Sequence, residues 1–190
     1  MFIQTETTPN PATLKFLPGL EILKKGTLEF KNKKQASANN LAKQLFQDEN
    51  VEGVFIGRDF LTVTKSEKVS WEILKPTVLS VILEFFSSGG KIDPVGNQND
   101  ASNQENINYS QKDLEVVEKI KELLDERIKP AVAQDGGDIN FVKFQNKIVF
   151  LELRGACSGC PSSTITLKSG IENMLKYYIP EIESVEAINQ

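Results

Sequence analysis

The sequence predicts the α+β class, as two small α+β domains joined by a flexible linker, on three observations. A chain of 190 residues suits two modest cores better than one large one, each burying roughly 60–70% of its unfolded surface. Residues 87–108, SSGGKIDPVGNQNDASNQENIN, are rich in Ser, Gly, Asn and Gln and hold too few apolar side chains to offset the entropy of ordering them. On both sides of this stretch, runs alternating apolar and polar stand beside runs of helical period. The boundaries read as 1–88 for the first domain, 89–108 for the linker and 109–190 for the second domain.

In the first domain, residues 7–16, TTPNPATLKF, read as an edge strand punctuated by Pro9 and Pro11, because proline is tolerated where no ladder bond is needed. The other reading of that segment is direct contact with a client protein. Ser37 is placed to cap a helix through Asp48, with Leu41, Leu45 and Phe46 on one face. Residues 51–57 and 61–64 form a hairpin about Gly57-Arg58-Asp59. Ser70 caps a second helix reaching about Phe86, and Pro76 inside it is a place for a kink.

In the second domain, Ser110 and Asp113 have capping-box spacing, and Leu114, Val117, Leu124 and Ile128 continue one helical face until Pro130. Asp135-Gly136-Gly137-Asp138 supplies a turn, a role that suits the two carboxylates better than acid–base pairing. Residues 139–144 and 148–153 alternate as a hairpin about Gln145-Asn146-Lys147, and its second strand runs into the cysteines. From Pro161 onward, Ile165, Leu167, Ile171, Met174, Leu175 and Tyr178 keep helical period until Pro180, and residues 182–188 close the unit as a strand.

A net charge of −4 and a pI near 5.1 argue against nucleic acid, since phosphate neutralisation needs a clustered excess of Lys and Arg. The densest basic cluster, Lys31, Lys33 and Lys34, reads as a solvated loop. No apolar run approaches the roughly 20 residues that cross a bilayer, so no membrane span is expected. The opening Met1-Phe2-Ile3-Gln4-Thr5 resembles neither a secretory nor an organellar leader. The expectation is a cytoplasmic protein, or a mitochondrial matrix protein if the chain is a processed form.

The chain holds no histidine, which removes the commonest neutral metal ligand and the commonest general base. Its two cysteines fall in one stretch, Cys157-Ser158-Gly159-Cys160, instead of being spread as a disulfide framework. A pair two residues apart can turn both sulfurs toward one centre, and an iron-sulfur cluster normally takes four thiolates. Two chains meeting loop to loop supply the missing pair, so cluster binding and homodimer formation become one event. Gly155 and Gly159 permit tight turns, Ala156 and Ser158 add little bulk, and Cys160 stands before a helix start whose dipole favours a thiolate. Ser162, Ser163 and Thr164 offer hydroxyl donors to the sulfurs. Three alternatives stay open: two thiols packed in a core, a zinc half-site, and a thioredoxin-like dithiol oxidoreductase. Against the last, the sole Trp, Trp71, lies in the other domain, and the proline follows the pair instead of dividing it.

The DGGD turn at residues 135–138 together with GACSGCPSSTITLKSGIENML at residues 155–175 resembles the Nfu family, the NifU carboxyl-terminal type of domain. Separately, residues 7–16 resemble the opening of the amino-terminal Nfu domain. The resemblance implies a CxxC-bridged dimer that holds a four-iron four-sulfur (4Fe-4S) cluster, with Cys157 and Cys160 as ligands. It also implies delivery to apo iron-sulfur clients, supply from an upstream assembly scaffold and a first domain concerned with partner recognition, while the lack of histidine, of a nucleophile–base pair and of a phosphate loop leads to the expectation of no enzymatic turnover.

Overall fold

The computed structural model describes residues 2–92, 109–158 and 161–188, the side chains of 161–163 excepted. Residue contacts divide the chain into two compact units, Met1–Gln98 and Asn99–Gln190. The expected linker falls mostly on residues outside those described, but Ile92, which composition assigns to it, is buried in the first core.

The first unit is a five-stranded antiparallel sheet with helices on one face. Its strands are β1 (Gln4–Thr7), β2 (Thr13–Leu17), β3 (Leu28–Phe30), β4 (Val51–Ile56) and β5 (Leu61–Lys65), in the order β1-β2-β5-β4-β3. The expected hairpin is β4–β5, with a register shift between Val51 and Gly53. Residues 7–16 are not one edge strand. Thr7 ends β1, Thr13 begins β2, and the prolines stand in the turn between them, while β2 is an interior strand. Phe16 and Leu61, opposite one another in register, are both fully buried.

The helix expected over residues 37–48 is two short ones, α1 (Lys33–Ala36) and α2 (Asn40–Leu45). Asn32 and Asn39 are the caps, each side chain accepting an N–H, from Gln35 and Ala42 respectively, at 2.9 Å. Ser37 instead closes α1, donating its hydroxyl to the Lys34 carbonyl at 2.7 Å. An Asn ahead of each segment offers the backbone a local stop and restart. Helix α3 (Trp71–Ser87) buries Leu74, Val78, Ile82 and Phe85, at helical spacing, and leaves Pro76 on its exposed side. Ser70 stands at its N-cap without a side-chain capping bond.

The second unit begins with α4 (Gln111–Leu123), where Ser110 Oγ accepts the Asp113 N–H at 3.2 Å and donates to its carboxylate at 2.7 Å. The buried stripe is Val116, Val117 and Ile120, with Leu114 left exposed. Pro130 does not end this helix. A widened π turn at Leu124–Ile128, with Lys129 N–H bonded to the Leu124 carbonyl, carries it into α5 (Lys129–Gln134). Pro130 thereby sits in the first turn of α5, where its missing N–H leaves nothing unsatisfied.

Strands β6 (Gly137–Gln145) and β7 (Ile148–Gly155) form the expected hairpin. Asn146 and Lys147 both take positive φ, 53° and 62°, the geometry that lets a two-residue turn follow the strand twist. Strand β8 (Ser184–Ile188) lies parallel to β7, which demands a crossover, and α6 (Pro161–Tyr178) provides it. The second core joins Val117, Ile120, Ile139, Leu151, Leu175 and Val185 among others. On α6, Ile171 and Leu175 belong to this core, but Ile165, expected on the same face, is 67% exposed. Glu172 fastens α6 to β8, accepting from Lys176 Nζ at 2.7 Å and from the Val185 N–H at 3.0 Å. The Lys176 bond foremost, with the Val185 N–H, holds the Glu172 carboxyl below its usual range.

Candidate functional site

The cysteine loop is the connection from the end of β7 to the start of α6. Gly155 closes the strand at φ +66°, a conformation that a side chain would strain. Beyond it the backbone is fastened at several points. Ala156 N–H donates to the Gly136 carbonyl at 3.2 Å, and both the N–H and the hydroxyl of Ser158 donate to the Gly155 carbonyl, at 3.1 and 2.9 Å. Thr164 Oγ1 donates to the Cys157 carbonyl at 3.1 Å, so this hydroxyl anchors the loop to the first turn of α6.

Cys157 does not lie open to solvent. It is 5% exposed and belongs to the second unit's apolar core. Its sulfur rests against Gly137: a Cβ built there would lie 2.7 Å from Cys157 Sγ and 2.6 Å from the Arg154 carbonyl. Only a glycine fits that contact, so the DGGD turn is a seat for the thiol as well as a turn. Burial pushes the Cys157 thiol up to about 12, and the Asp135 and Asp138 carboxylates push the same way. At neutral pH this thiol is therefore protonated. Gly159 and Cys160, with the side chains of Ser162 and Ser163, lie outside the described residues.

Cys157 stands in the connection between strand and helix, and the core-packed alternative describes the position of this one sulfur. Two further features have no signal in the local sequence. Gly137 belongs to a turn motif, and its contact with sulfur depends on a residue 20 positions away. Arg154, one residue before Gly155, is buried and paired with Glu152 at 2.9 Å. In an alternating strand an Arg reads as solvent-facing, and no local signal marks it otherwise. Among the described residues, no three His, Cys, Asp or Glu side chains converge on a metal-sized centre. No helix among them is long and apolar enough to cross a membrane.

Fold and loop together define a two-unit α+β protein whose second unit carries a CxxC loop at a strand-to-helix crossover. Residues 3–89 match the family model for the scaffold protein Nfu/NifU N terminal, and residues 120–186 match that for the NifU-like domain. The chain belongs to the Nfu/NifU scaffold protein family. A protein of Drosophila sechellia named "NFU1 iron-sulfur cluster scaffold homolog, mitochondrial" is 50% identical over 189 residues, which are 99% of this chain and 65% of that one. One of the same name from Drosophila willistoni is also 50% identical over 189 residues, 64% of its length. The chain thus spans less than two thirds of the length of these relatives. The solution structure of a NifU-like protein from Saccharomyces cerevisiae is 31% identical, at a TM-score of 0.45, over 50% of this chain and 86% of that one.

Proposed function

We propose that this chain is an iron-sulfur cluster scaffold and carrier, holding a 4Fe-4S cluster between two copies through Cys157 and Cys160 of each and passing it to apo-proteins. The observation that carries the reading is the thiol supply at the β7–α6 crossover: two cysteines in a histidine-free chain, half of what a cluster takes. The names of the relatives support the scaffold role, and their mitochondrial designation favours the matrix over the cytoplasm as the place of action. The first unit serves recognition of partners, which include apo clients and an upstream scaffold.

The seat of Cys157 shapes how loading occurs. A thiolate is the ligand, and metal binding to a thiol releases its proton. Cys157 must therefore leave Gly137, reach the loop surface and lose its proton. Loading is coupled to this turning out. The same burial weighs against a dithiol oxidoreductase, whose attacking sulfur needs access and thiolate character. On this reading the protein is not an enzyme.

The test is anaerobic reconstitution of the full chain followed by native mass spectrometry. The expected species is two chains with one cluster and no small thiol. A monomer holding a complete cluster, or strong multiple-turnover disulfide reduction by cluster-free protein, would overturn the proposal.

A further inference from the structure

We infer that Ile165 is the contact through which one copy grips the other when the cluster is shared, an inference that rests on the pairing proposed above. Ile165 is 67% exposed on the second turn of α6, while the buried side of that helix is filled by Ile171 and Leu175. The fold of a single copy does not use it. Thr166, Ser169 and Gly170, exposed beside it, are uncharged, and Lys168 is engaged with Glu186 at 2.9 Å. The first acid further along the helix, Glu172, is taken up by Lys176 and the Val185 N–H.

Position says what covers this side chain. At a rise of about 1.5 Å per residue, Ile165 stands roughly 6 Å along the axis from the helix start, and helical side chains lean toward the N-terminus. Ile165 thus leans toward the cysteine loop. A cluster ligated by two such loops brings the partner's loop within a cluster's width of this one, so the partner's chain arrives beside Ile165. Under two-fold symmetry the contact is made twice. Each chain carries a net charge of −4, and an uncharged flank with one bulky apolar group is a surface on which two such chains can approach. Tyr177 and Tyr178, also exposed on α6, lie about 18 Å further along the helix, and Tyr178 already carries Arg127 over its ring at 5.1 Å.

The experiment compares full-length wild type with Ile165→Glu, Ile165→Ala and Ile165→Val. Each is reconstituted anaerobically and followed by sedimentation and native mass spectrometry across a dilution series, with circular dichroism of the cluster-free forms as the folding control. Ile165→Glu is expected to raise the apparent Kd of the cluster-bearing dimer about tenfold or more, Ile165→Ala less and Ile165→Val little. Should the Glu variant misfold, Ile165→Ala, which keeps helical propensity, decides the question. A wild-type dimer matched in Kd by both the Glu and Ala variants overturns this inference alone, leaving the proposed function in place. A wild type that holds its cluster as a monomer overturns both. Variants that dimerise normally but pass the cluster to an apo-protein more slowly also overturn it, since Ile165 would then face the client.

Discussion

Residues 8–12 in the first unit and residues 155–158 in the second are both tight turns within family-like segments, and they hold themselves in opposite ways. The first is closed by its own polar groups. Thr8 Oγ1 lies 2.9 Å from the carbonyl oxygens of Asn10 and Thr13 and accepts the Asn10 N–H at 3.2 Å. Asn10 Oδ1 accepts the Ala12 N–H at 3.0 Å, and Trp71 donates its indole N–H to the Pro11 carbonyl at 3.2 Å. Every prominent polar residue there has a structural account. The second turn is also tied down, yet it sets a thiol into an apolar core beside two carboxylates. A distinctive stretch of sequence can thus mark a place where the backbone is difficult to build or a place where chemistry occurs, and only the partners of its side chains separate the two.

The largest effect that would sharpen this contrast is loss of the cargo. Cys157→Ala and Cys160→Ala are each expected to abolish stable cluster binding, because a dimer of either keeps two protein thiols of the four needed. Absorbance of the reconstituted protein in the sulfur-to-iron charge-transfer region reads this out, and a cluster intact in either variant would remove the functional half of the comparison. Gly137→Ala should come next. Its new methyl meets a backbone carbonyl and the Cys157 sulfur, so a loss of about 1–3 kcal/mol from the second unit is expected. Differential alkylation should show Cys157 more reactive than in wild type, and an unchanged alkylation rate would mean that Gly137 is not its seat.

Asn10→Ala is expected to take about 1–2 kcal/mol from the first unit by stripping the Ala12 N–H of its partner. Thermal unfolding measures that loss. Cluster content should not change; if it fell, the turn at residues 8–12 would have a role beyond its own geometry. The last effect is confined to alkaline conditions and is absent at neutral pH. An unfolded Cys titrates near about 8.5, whereas folded Cys157 is pushed up to about 12. The folded chain therefore holds its proton longer, and the stability this lends is complete below the unfolded value and lost as pH climbs toward the folded one. Denaturant midpoints of cluster-free protein should fall over that window more steeply than those of Cys157→Ala, and parallel curves would place the thiol in water.

Much of the fold was legible where side-chain pattern and backbone agree. The β4–β5 and β6–β7 hairpins, the Ser110 cap, and α6 followed by a closing strand all stand where alternation, capping chemistry and period put them. What escaped was fixed by backbone pairing or by distant packing. Gln4–Thr7 is largely exposed and polar, so β1 exists through its ladder to β2 and shows no alternation. The continuation past Pro130 depends on a widened turn that no residue type announces. That Cys157 follows a strand and precedes a helix agrees with the order read from alternation and period. The inward position of Cys157 was not legible, because it depends on the missing side chain of Gly137, which is far from Gly155 in sequence but opposite it in the sheet.

The crossover from β7 through α6 to β8 also decides which partial opening of the second unit would bare the sulfur. Cys157 joins a core shared with Ile171, Leu175, Ile179 and Val185, all of which follow it in the chain. Local openings expose whatever the departing element had covered. Fraying of α6 or β8, with the β6–β7 hairpin still paired, would therefore uncover the thiol, and hydrogen exchange across those two elements should track its rate of alkylation in the cluster-free protein.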